Sequence, residues 1–334
     1  MDLNYQSKLE RVYIKLGSEC NLKCKYCHTE HFNCTFDKNI LPILKNLNLK
    51  RISFGGGEPL LYWNTIKEIV EYIGPSVDYK IVTNGTLFTK EIIDFCNKYN
   101  FYIYISIDGL HTTRDTSVPI KWDLISKLKF SGTAVTFYKE TSNYKNTIKY
   151  LNAIKEKYLT IHPTKFTSFP NFIHSTEKTG ILSDKNLADL YVLQLSSLLE
   201  EAFEIYNKRN IIVVLLKKCF LSFYYKKNLN GIRCCRDTYI AILPDGSILA
   251  CPYLSSKVGD IFNLDKINWN NIKNNHIRES CKTCELFDIC GNYCWANITD
   301  DECYIMRKMY TIFDNLMKKY NITYEELLNK IQGT

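Results

Sequence analysis

The sequence predicts an α/β fold in its first half, followed by a smaller module that depends on cysteine. Short apolar runs rich in Ile, Val, Tyr and Phe alternate with stretches of helical periodicity, and their spacing suits right-handed crossovers between parallel strands. The cysteine-dependent module is predicted from the clustering of the chain's 14 cysteines. They are too few for a disulfide scaffold in 334 residues, so metal binding or redox chemistry is their expected use.

Six segments of the first half are predicted as strands and four as helices between them. The strands are 11–16, 51–54, 79–82, 101–107, 133–137 and 159–162. The helices are 65–73, 90–99, 122–128 and 146–157. In parallel sheets ligands lie beyond the carboxyl ends of the strands, so the residues that follow each strand are the candidates for a site.

The second half is predicted to begin with a long helix and to end with two more. The segment 258–297 between them is poor in aliphatic residues, so we expect metal to hold it. Thr323 and Glu326 form a capping box at the start of the last helix. The predicted elements are a helix at 184–206, a hairpin of 238–243 and 247–251 around a Pro-Asp-Gly turn, and helices at 304–320 and 323–331.

Composition and charge narrow the classes of partner. Hydrophobic residues make up 46% of the chain and charged residues 23%, which is typical of a folded protein. The longest apolar run, 211–216, is far short of the roughly 20 residues of a membrane span, and residues 1–13 contain no signal-peptide stretch. The net charge of +8 comes without a basic tail. We therefore expect a cytoplasmic protein that binds neither membrane nor nucleic acid.

Three cysteines come shortly after the first predicted strand. Cys20, Cys24 and Cys27 form the pattern C-x-x-x-C-x-x-C. Three thiolates so close in sequence can hold three irons of a cubane cluster and leave the fourth iron open for an outside ligand. The alternative is a zinc site completed by His28 or His31.

A glycine-rich turn, Gly-Gly-Gly-Glu-Pro at 55–59, follows the second predicted strand. Its glycines allow close approach of the backbone to a ligand and expose N–H groups. With the cysteine triplet and Tyr26 before its third cysteine, this turn resembles the radical S-adenosylmethionine (SAM) enzymes. The resemblance implies a partial (β/α)6 TIM-like barrel, in which the three cysteines ligate a [4Fe–4S] cluster whose free iron binds SAM. Gly56, Gly57 and Glu58 would fix the methionine amine.

Polar residues also follow the third and fourth predicted strands. By similarity to the same family, Asn84, Ser106 and Asp108 are candidates for contacts with SAM or substrate. Taken alone, each would more often be a turn residue. Asp115 falls where these enzymes carry an aspartate, but Val118 stands where an arginine usually follows, so no carboxylate-binding arginine is assigned.

A second group of cysteines lies in the carboxyl-terminal half. Its tail reads C-x-x-C-x5-C-x-x-x-C, followed by one more cysteine, and eight thiolates can complete two four-iron clusters. The spacing resembles the SPASM domain, a two-cluster extension of many peptide-modifying radical SAM enzymes that is built on a β-hairpin. The eight are Cys234, Cys235, Cys251, Cys281, Cys284, Cys290, Cys294 and Cys303.

The resemblance implies interleaved ligand sets for these two clusters. Adjacent residues of an extended chain point to opposite sides, so Cys234 and Cys235 are awkward partners for one cubane. Either the backbone bends there, Cys219 contributes, or one iron stays open. A zinc ribbon is the alternative for the tail. The outer set is Cys281, Cys284, Cys290 and Cys303, and the inner set is Cys251, Cys294 and one or both of Cys234 and Cys235.

Together the two resemblances imply an enzyme that uses SAM and three [4Fe–4S] clusters, one binding SAM and two auxiliary. It would abstract hydrogen through a 5′-deoxyadenosyl radical and oxidatively modify a ribosomally made peptide, forming a thioether or carbon–carbon crosslink. The implied partners are the precursor peptide and an electron donor such as flavodoxin or ferredoxin. Since Cys20 leaves no space for a recognition domain before the strands, we expect recognition by a separate protein, the middle segment or the SPASM face.

Three other functions stay open at this point. They are dehydrogenation of a small alcohol, formylglycine-type sulfatase maturation, and a non-catalytic zinc or iron–sulfur binding module. The aspartate that sulfatase-maturating enzymes place after the hairpin cysteine is Pro252 here. The predicted domains are a radical SAM barrel at 1–183, a helical linker at 184–229, a SPASM domain at 230–310 and carboxyl-terminal helices at 311–334.

Overall fold

The computed structural model forms two compact units, each described here by itself. The first comprises Met1–Thr136, Tyr150–Asn171 and Cys235–His276, and the second comprises Phe137–Lys149, Phe172–Cys234 and Ile277–Thr334. The structure describes residues 9–24, 27, 32, 35–107, 115–136, 168–171, 185–210, 216, 220, 239–249, 257–267, 279–286 and 300–332.

A mostly parallel sheet dominates the first unit, and its described part has nine strands in the order β6-β5-β4-β3-β2-β1-β7-β8-β9. Strands β1 to β7 pair in parallel, and β8 and β9 add antiparallel. The described strands do not close into a barrel, because β6 and β9 are the two edges. The strands are β1 (Arg11–Lys15), β2 (Arg51–Gly55), β3 (Asp78–Thr83), β4 (Tyr102–Ser106), β5 (Ser131–Thr136), β6 (Ser168–Asn171), β7 (Tyr239–Ile242), β8 (Ser247–Leu249) and β9 (Lys257–Asp260).

This architecture confirms the predicted α/β class, including a run of parallel strands and a hairpin. The first five predicted strands match β1 to β5 to within two residues at each end. The predicted sixth strand at 159–162 and the predicted helix at 146–157 lie outside the described residues. The sixth described parallel strand is β6, and it pairs with β5.

One face of the sheet is covered by helices. Alternate residues of the strands, such as Val12, Phe54 and Ile81, join the apolar faces of the first three helices in one buried core. Phe54, Tyr79 and Phe101 stack within it. The helices of this unit are α1 (Ile40–Asn46), α2 (Trp63–Ile73), α3 (Lys90–Lys98) and α4 (Trp122–Ile125), with short 3-10 helices at Pro59–Tyr62 and Ile261–Lys266.

The second unit is helical in its described part. Phe203 packs against Phe313 and Tyr320, so the longest two helices share an aromatic contact. The Thr323 hydroxyl accepts from the Glu326 N–H at 3.2 Å, which supports half of the predicted capping box. The helices are α5 (Lys185–Arg209), α6 (Glu279–Lys282), α7 (Asp300–Lys319) and α8 (Tyr324–Gln332).

The predicted helix at 184–206 and the two carboxyl-terminal helices are therefore confirmed. No helix in the described part of the chain combines the length and the hydrophobicity that crossing a membrane requires. The four predicted domain boundaries stay predictions.

Candidate functional site: the cysteine loop and the strand ends around it

The turn after β2 is bonded to the backbone that leads into the first cysteines. We call residues 16–24 together with Cys27 the cysteine loop. The N–H of Gly57 donates to the Gly17 carbonyl at 2.9 Å, and the N–H of Glu58 donates to the Glu19 carbonyl at 2.8 Å. The glycine-rich turn and the cysteine loop therefore form one hydrogen-bonded structure.

Two glycines make this approach possible. A methyl group on Gly57 would lie 2.1 Å from the Glu19 carbonyl oxygen, and one on Gly56 would lie 2.1 Å from the Gly17 carbonyl oxygen. Gly56 also has a φ of +128°, which other residues rarely adopt. The sequence predicts that these glycines let the backbone approach a ligand, and in the structure the protein's own backbone already requires them.

Glu58 is the central acceptor of the site. Its side chain is 2% exposed. One carboxylate oxygen accepts from the Thr83 hydroxyl at 2.6 Å and from the Leu60 N–H at 3.1 Å, and the other accepts from the Asn84 N–H at 2.8 Å. One buried carboxylate thus ties the turn after β2 to the carboxyl end of β3.

Asn84 continues this network to the cysteine loop. Its side-chain amide donates to Asn21 at 2.9 Å and lies 4.0 Å from the Cys20 sulfur. The side-chain oxygen of Asn84 accepts from the N–H and the hydroxyl of Thr86. The side-chain amide of Asn21 in turn donates to the Thr86 hydroxyl at 2.9 Å. Asn21 and Thr86 were not among the predicted site residues, although Asn21 adjoins Cys20 and Thr86 lies two residues after Asn84.

Asp115 holds the far side of the cysteine loop. Its carboxylate accepts from the N–H of Lys23 at 2.8 Å and from the N–H of Ser117 at 2.9 Å. The hydrogen bond from the Ser117 side chain, followed by these two backbone contacts, lowers the pKa of the Asp115 carboxyl. The N–H of Asp115 donates to the Cys24 sulfur at 3.4 Å. The aspartate noted in the sequence therefore positions the loop.

The three cysteine side chains lie close enough to affect one another electrostatically. Burial is the main cause that raises the pKa of Cys20, and the nearby charges of Glu58, Cys27 and Cys24 raise it further. The Cys20 sulfur accepts from the Leu22 N–H at 3.4 Å. Thiolates gathered in this way need a compensating cationic centre.

The donor set of the cysteine loop suits an iron–sulfur cubane. Within the described part of the chain, no three His, Cys, Asp or Glu side chains form a group that could hold one metal ion. A cubane has no such requirement, because each thiolate binds its own iron, and N–H groups aimed at the sulfurs are typical of such clusters. His28 and His31, the ligands of the zinc alternative, lie outside the described residues.

The remaining predicted site residues are only partly described. Ser106 ends β4 and is half-buried, whereas Asp108 lies outside the described residues. Cys281 is buried in α6, and Cys284 and Cys303 are partly buried. The N–H of Cys284 donates to the Cys281 carbonyl at 3.2 Å. The predicted ligands outside the described residues are Cys234, Cys235, Cys251, Cys290 and Cys294.

Arg307 on α7 is a neighbour of this second group that sequence reasoning missed. Its guanidinium donates to the Cys284 sulfur at 3.2 Å and to the Glu285 carboxylate at 3.4 Å. Arg307 stands one helical turn after Cys303, so the two side chains share a face of α7. The four-residue spacing of Cys303 and Arg307 is the sequence signal from which this proximity could have been predicted.

Comparison with known proteins agrees with this geometry. The model of the radical SAM superfamily matches residues 14–127. The chain is 25% identical to the radical SAM cyclopropyl synthase TigE of Paramaledivibacter caminithermalis, over 87% of this chain and 69% of the relative. It is 24% identical to a cysteine-type anaerobic sulfatase-maturating enzyme of Clostridium perfringens, over 83% of this chain and 86% of the relative.

Solved structures show the same fold. The chain matches anSMEcpe with bound AdoMet with a TM-score of 0.68 and 19% identity, covering 93% of this chain and 99% of that one. It matches SuiB of Streptococcus suis bound to the precursor peptide SuiA with a TM-score of 0.60 and 20% identity, covering 86% and 72%.

The matched segment 14–127 contains the cysteine loop, Glu58, Asn84 and Asp115, the residues that the hydrogen bonds bring together. SAM and a [4Fe–4S] cluster are the cofactors of this superfamily. Residues 14–127 therefore carry a radical SAM domain, and the chain is an enzyme.

Proposed function

We propose that this enzyme oxidatively modifies a ribosomally made peptide, forming a thioether or carbon–carbon crosslink. The observation that carries the proposal is the set of hydrogen bonds between the cysteine loop and the Gly-Gly-Gly-Glu-Pro turn. The hydrogen bond between Glu58 and the Asn84 N–H extends this set to the end of β3. These hydrogen bonds hold the cysteine loop at the carboxyl ends of parallel strands, where such sheets bind ligands.

In this proposal Cys20, Cys24 and Cys27 hold the first cluster, and a second set of residues holds SAM. When bound there, the cluster and SAM would supply the radical chemistry that removes hydrogen from an unactivated carbon. The chain's own residues orient the nucleotide, keep water out and hold the target bond in reach. The SAM contacts are Gly56, Gly57, Glu58, Asn84, Ser106 and Asp108.

Residues 230–310 would form a SPASM domain with two further [4Fe–4S] clusters. Cys281, Cys284 and Cys303 lie in one compact unit, and Arg307 places a cation against one of these sulfurs. Such a donor suits an anionic cluster better than a neutral thiol. The full auxiliary set is Cys234, Cys235, Cys251, Cys281, Cys284, Cys290, Cys294 and Cys303.

The peptide substrate is supported by the solved structures of similar fold. SuiB was solved with its precursor peptide, and anSMEcpe was solved with AdoMet and the Cp18Cys peptide. The accompanying partners would be a flavodoxin or ferredoxin and, for recognition, a separate protein or the chain's own surface. The domains proposed are a barrel at 1–183, a linker at 184–229, the SPASM domain and helices at 311–334.

Sulfatase maturation is the second candidate, since a sulfatase-maturating enzyme matches over 86% of its own length. Against it stands Pro252 in place of the expected aspartate. Mass spectrometry separates the two, because a crosslink removes two hydrogens between two residues of one peptide whereas formylglycine changes a single Ser or Cys. Dehydrogenation of a small alcohol and a non-catalytic metal-binding module would leave the peptide unmodified.

The decisive experiment is anaerobic reconstitution, reduction and addition of SAM. We expect 5′-deoxyadenosine from the wild type and from Cys96→Ala, whose cysteine is buried in the core, but none from Cys20→Ala. Coexpression with short reading frames that adjoin the gene should then give a peptide that has lost hydrogen. Equal product from Cys20→Ala, or zinc in place of iron, would refute the proposal.

A further inference from the structure

In the described part of the first unit, the face of the sheet that points away from the core helices carries charge and aromatic rings. We call it the inner face. Because side chains alternate along a strand, the residues between the core positions of β1 to β4 point to this face. The register places Tyr13 beside Ser53, Ser53 beside Lys80 and Lys80 beside Tyr102. The inner-face residues used below are Arg11, Tyr13, Lys15, Arg51, Asp78, Lys80, Tyr102 and Tyr104.

Cations outnumber carboxylates on this face. In the described residues of β1 to β4, the basic side chains on this face are Arg11, Lys15, Arg51 and Lys80, and the acidic side chain is Asp78. The Arg51 guanidinium pairs with Asp78 at 3.1 Å, but its Nε is buried with no hydrogen-bond partner among the described residues. A buried donor without an acceptor is costly, so the protein satisfies this guanidinium only in part.

Lys80 is a second cation without a counter-ion in the described part of the chain. Its amine lies 4.5 Å from the centre of the Tyr104 ring. Burial lowers the pKa of Lys80, and the charge of Arg51 lowers it further. Two neighbouring cations that repel each other on a partly buried surface are the arrangement expected where an anion binds.

Aromatic rings line the same surface. Arg51 lies 5.8 Å from the centre of the Tyr102 ring. The Tyr13 ring packs against Gly55, because a methyl group on Gly55 would lie 1.7 Å from the Tyr13 hydroxyl oxygen. Burial also raises the pKa of Tyr13 to about 12, so this phenol stays a neutral hydrogen-bond donor. Planar rings beside cations suit the flat carboxylate group and the chain attached to it.

Arg51 and Lys80 lie on β2 and β3, nearer the amino ends of these strands than the residues that contact the cysteine loop. Lys80 precedes Thr83, whose hydroxyl donates to Glu58, by three residues, which is about 10 Å along the strand. The Lys80 amine leans towards Tyr104, which lies two residues nearer the carboxyl end of β4 than the register partner Tyr102. A substrate held here could extend from the inner face towards the cysteine loop.

We propose that Lys80 and Arg51 form a binding site for a carboxylate of the substrate, framed by Tyr13, Tyr102 and Tyr104. The inference rests on the proposed peptide substrate, and it names the group by which the peptide is anchored. That group is either an acidic side chain or the terminal carboxylate of the peptide. Either carboxylate would pair with the Lys80 amine and accept from the guanidinium of Arg51.

Competitive acetylation of the reconstituted enzyme tests this site without turnover. Acetic anhydride labels lysines, and peptide mass spectrometry gives the labelling rate of each. Lys98 is the internal control, because its amine also lies over a tyrosine ring, that of Tyr99 at 5.0 Å, but on an exposed helix. The probes, at equal ionic strength, are acetyl-Ala-Glu-Ala-amide, acetyl-Ala-Ala-Ala with a free carboxylate, and acetyl-Ala-Gln-Ala-amide.

At saturating probe we expect one or both carboxylate probes to slow acetylation of Lys80 about tenfold and to leave Lys98 unchanged. The probe that protects identifies the source of the carboxylate. The inference fails if the glutamine probe protects equally, if no probe protects, or if Lys98 is protected to the same degree. The labelling needs neither SAM nor reductant, so a preparation that forms no 5′-deoxyadenosine still decides it.

A matched pair of variants tests the role of Arg51. Arg51→Gln should abolish the protection of Lys80, whereas Lys98→Gln should retain it. Protection that survives in Arg51→Gln would remove Arg51 from the site. Because the wild-type measurement stands alone, a folding defect in Arg51→Gln leaves the main test intact.

Discussion

At the scale of single residues, Glu58 shows how one side chain can join three parts of a site. Its carboxylate accepts from Leu60, Thr83 and Asn84, and its own N–H donates to Glu19 of the cysteine loop. A carboxylate is acceptor-only, so it can meet donors on both oxygens at once. Burial makes each of these hydrogen bonds costly to lose.

We expect Glu58→Gln to destabilise the protein by about 2–3 kcal/mol, because the amide brings a donor against donors that the carboxylate satisfied. Urea denaturation measures this loss. Glu68→Gln is the control, since Glu68 forms a surface ion pair with Lys38 and its loss should cost less than about 1 kcal/mol. Equal midpoints for the two variants would contradict the assigned role of Glu58.

Gly57→Ala should lose the first cluster while the fold survives. The added methyl group would meet the carbonyl oxygens of Glu19 and Ser18 at 2.1 and 2.5 Å, which forces the cysteine loop away from the turn. We expect about four fewer irons per chain by iron analysis. Gly74→Ala is the control: it has a φ of +97° and no atom within 4 Å, so it should cost stability alone. Full iron content in Gly57→Ala would count against the loop geometry.

Cys96 should behave as a core residue and not as a ligand. It is 1% exposed, and burial raises the pKa of its thiol. The folded state therefore holds the proton more tightly than the unfolded state, so its contribution to stability falls as pH rises above about 8.5. We expect the stability of the wild type relative to Cys96→Ala to decline there, as measured by urea denaturation at several pH values. A pH-independent difference would contradict the burial of this thiol.

At the scale of elements, the helices and strands follow local signals. Thr89 caps α3, and its hydroxyl accepts from the Ile92 N–H at 3.3 Å. By contrast, α1 was not predicted, because Pro42 sits in its first turn, a position that tolerates proline but obscures the helical pattern. β9 was missed as well, since a four-residue strand with no strong alternation has little signal of its own.

Thr89→Ala should lower the free energy of unfolding by about 1 kcal/mol, because the first turn of α3 loses its acceptor. Thr89→Ser keeps the hydroxyl and should stay close to the wild type. Thermal unfolding followed by circular dichroism compares the two. If alanine and serine behave alike, the cap does not contribute to stability.

At the scale of the whole molecule, the second half of the sequence contributes to the sheet of the first unit. Strand β7 pairs in parallel with β1, although more than 200 residues separate them along the chain. The hairpin that the sequence predicted is therefore an extension of the parallel sheet, and it continues through β8 to β9. The residues of the turn predict the hairpin, but they do not predict that its first strand pairs with β1.

The proposed cluster count is also a property of the whole molecule. Three [4Fe–4S] clusters predict about 12 irons per chain, and replacing Cys20, Cys24 and Cys27 together by alanine should leave about eight. Iron and sulfide analysis after anaerobic reconstitution measures both. About four irons in the wild type would contradict the auxiliary clusters while leaving the first cluster in place.

Local sequence patterns were enough to predict the class of fold and the kind of chemistry. The spacing of Cys20, Cys24 and Cys27, the 55–59 turn and the alternation of apolar strands are local patterns, so they are legible without a structure. The tertiary structure decided which distant residues meet: Asn84 beside Cys20, Asp115 against Lys23, and Lys80 beside Arg51. Strand register sets such contacts, and register depends on the packing of the whole sheet, which no local pattern contains.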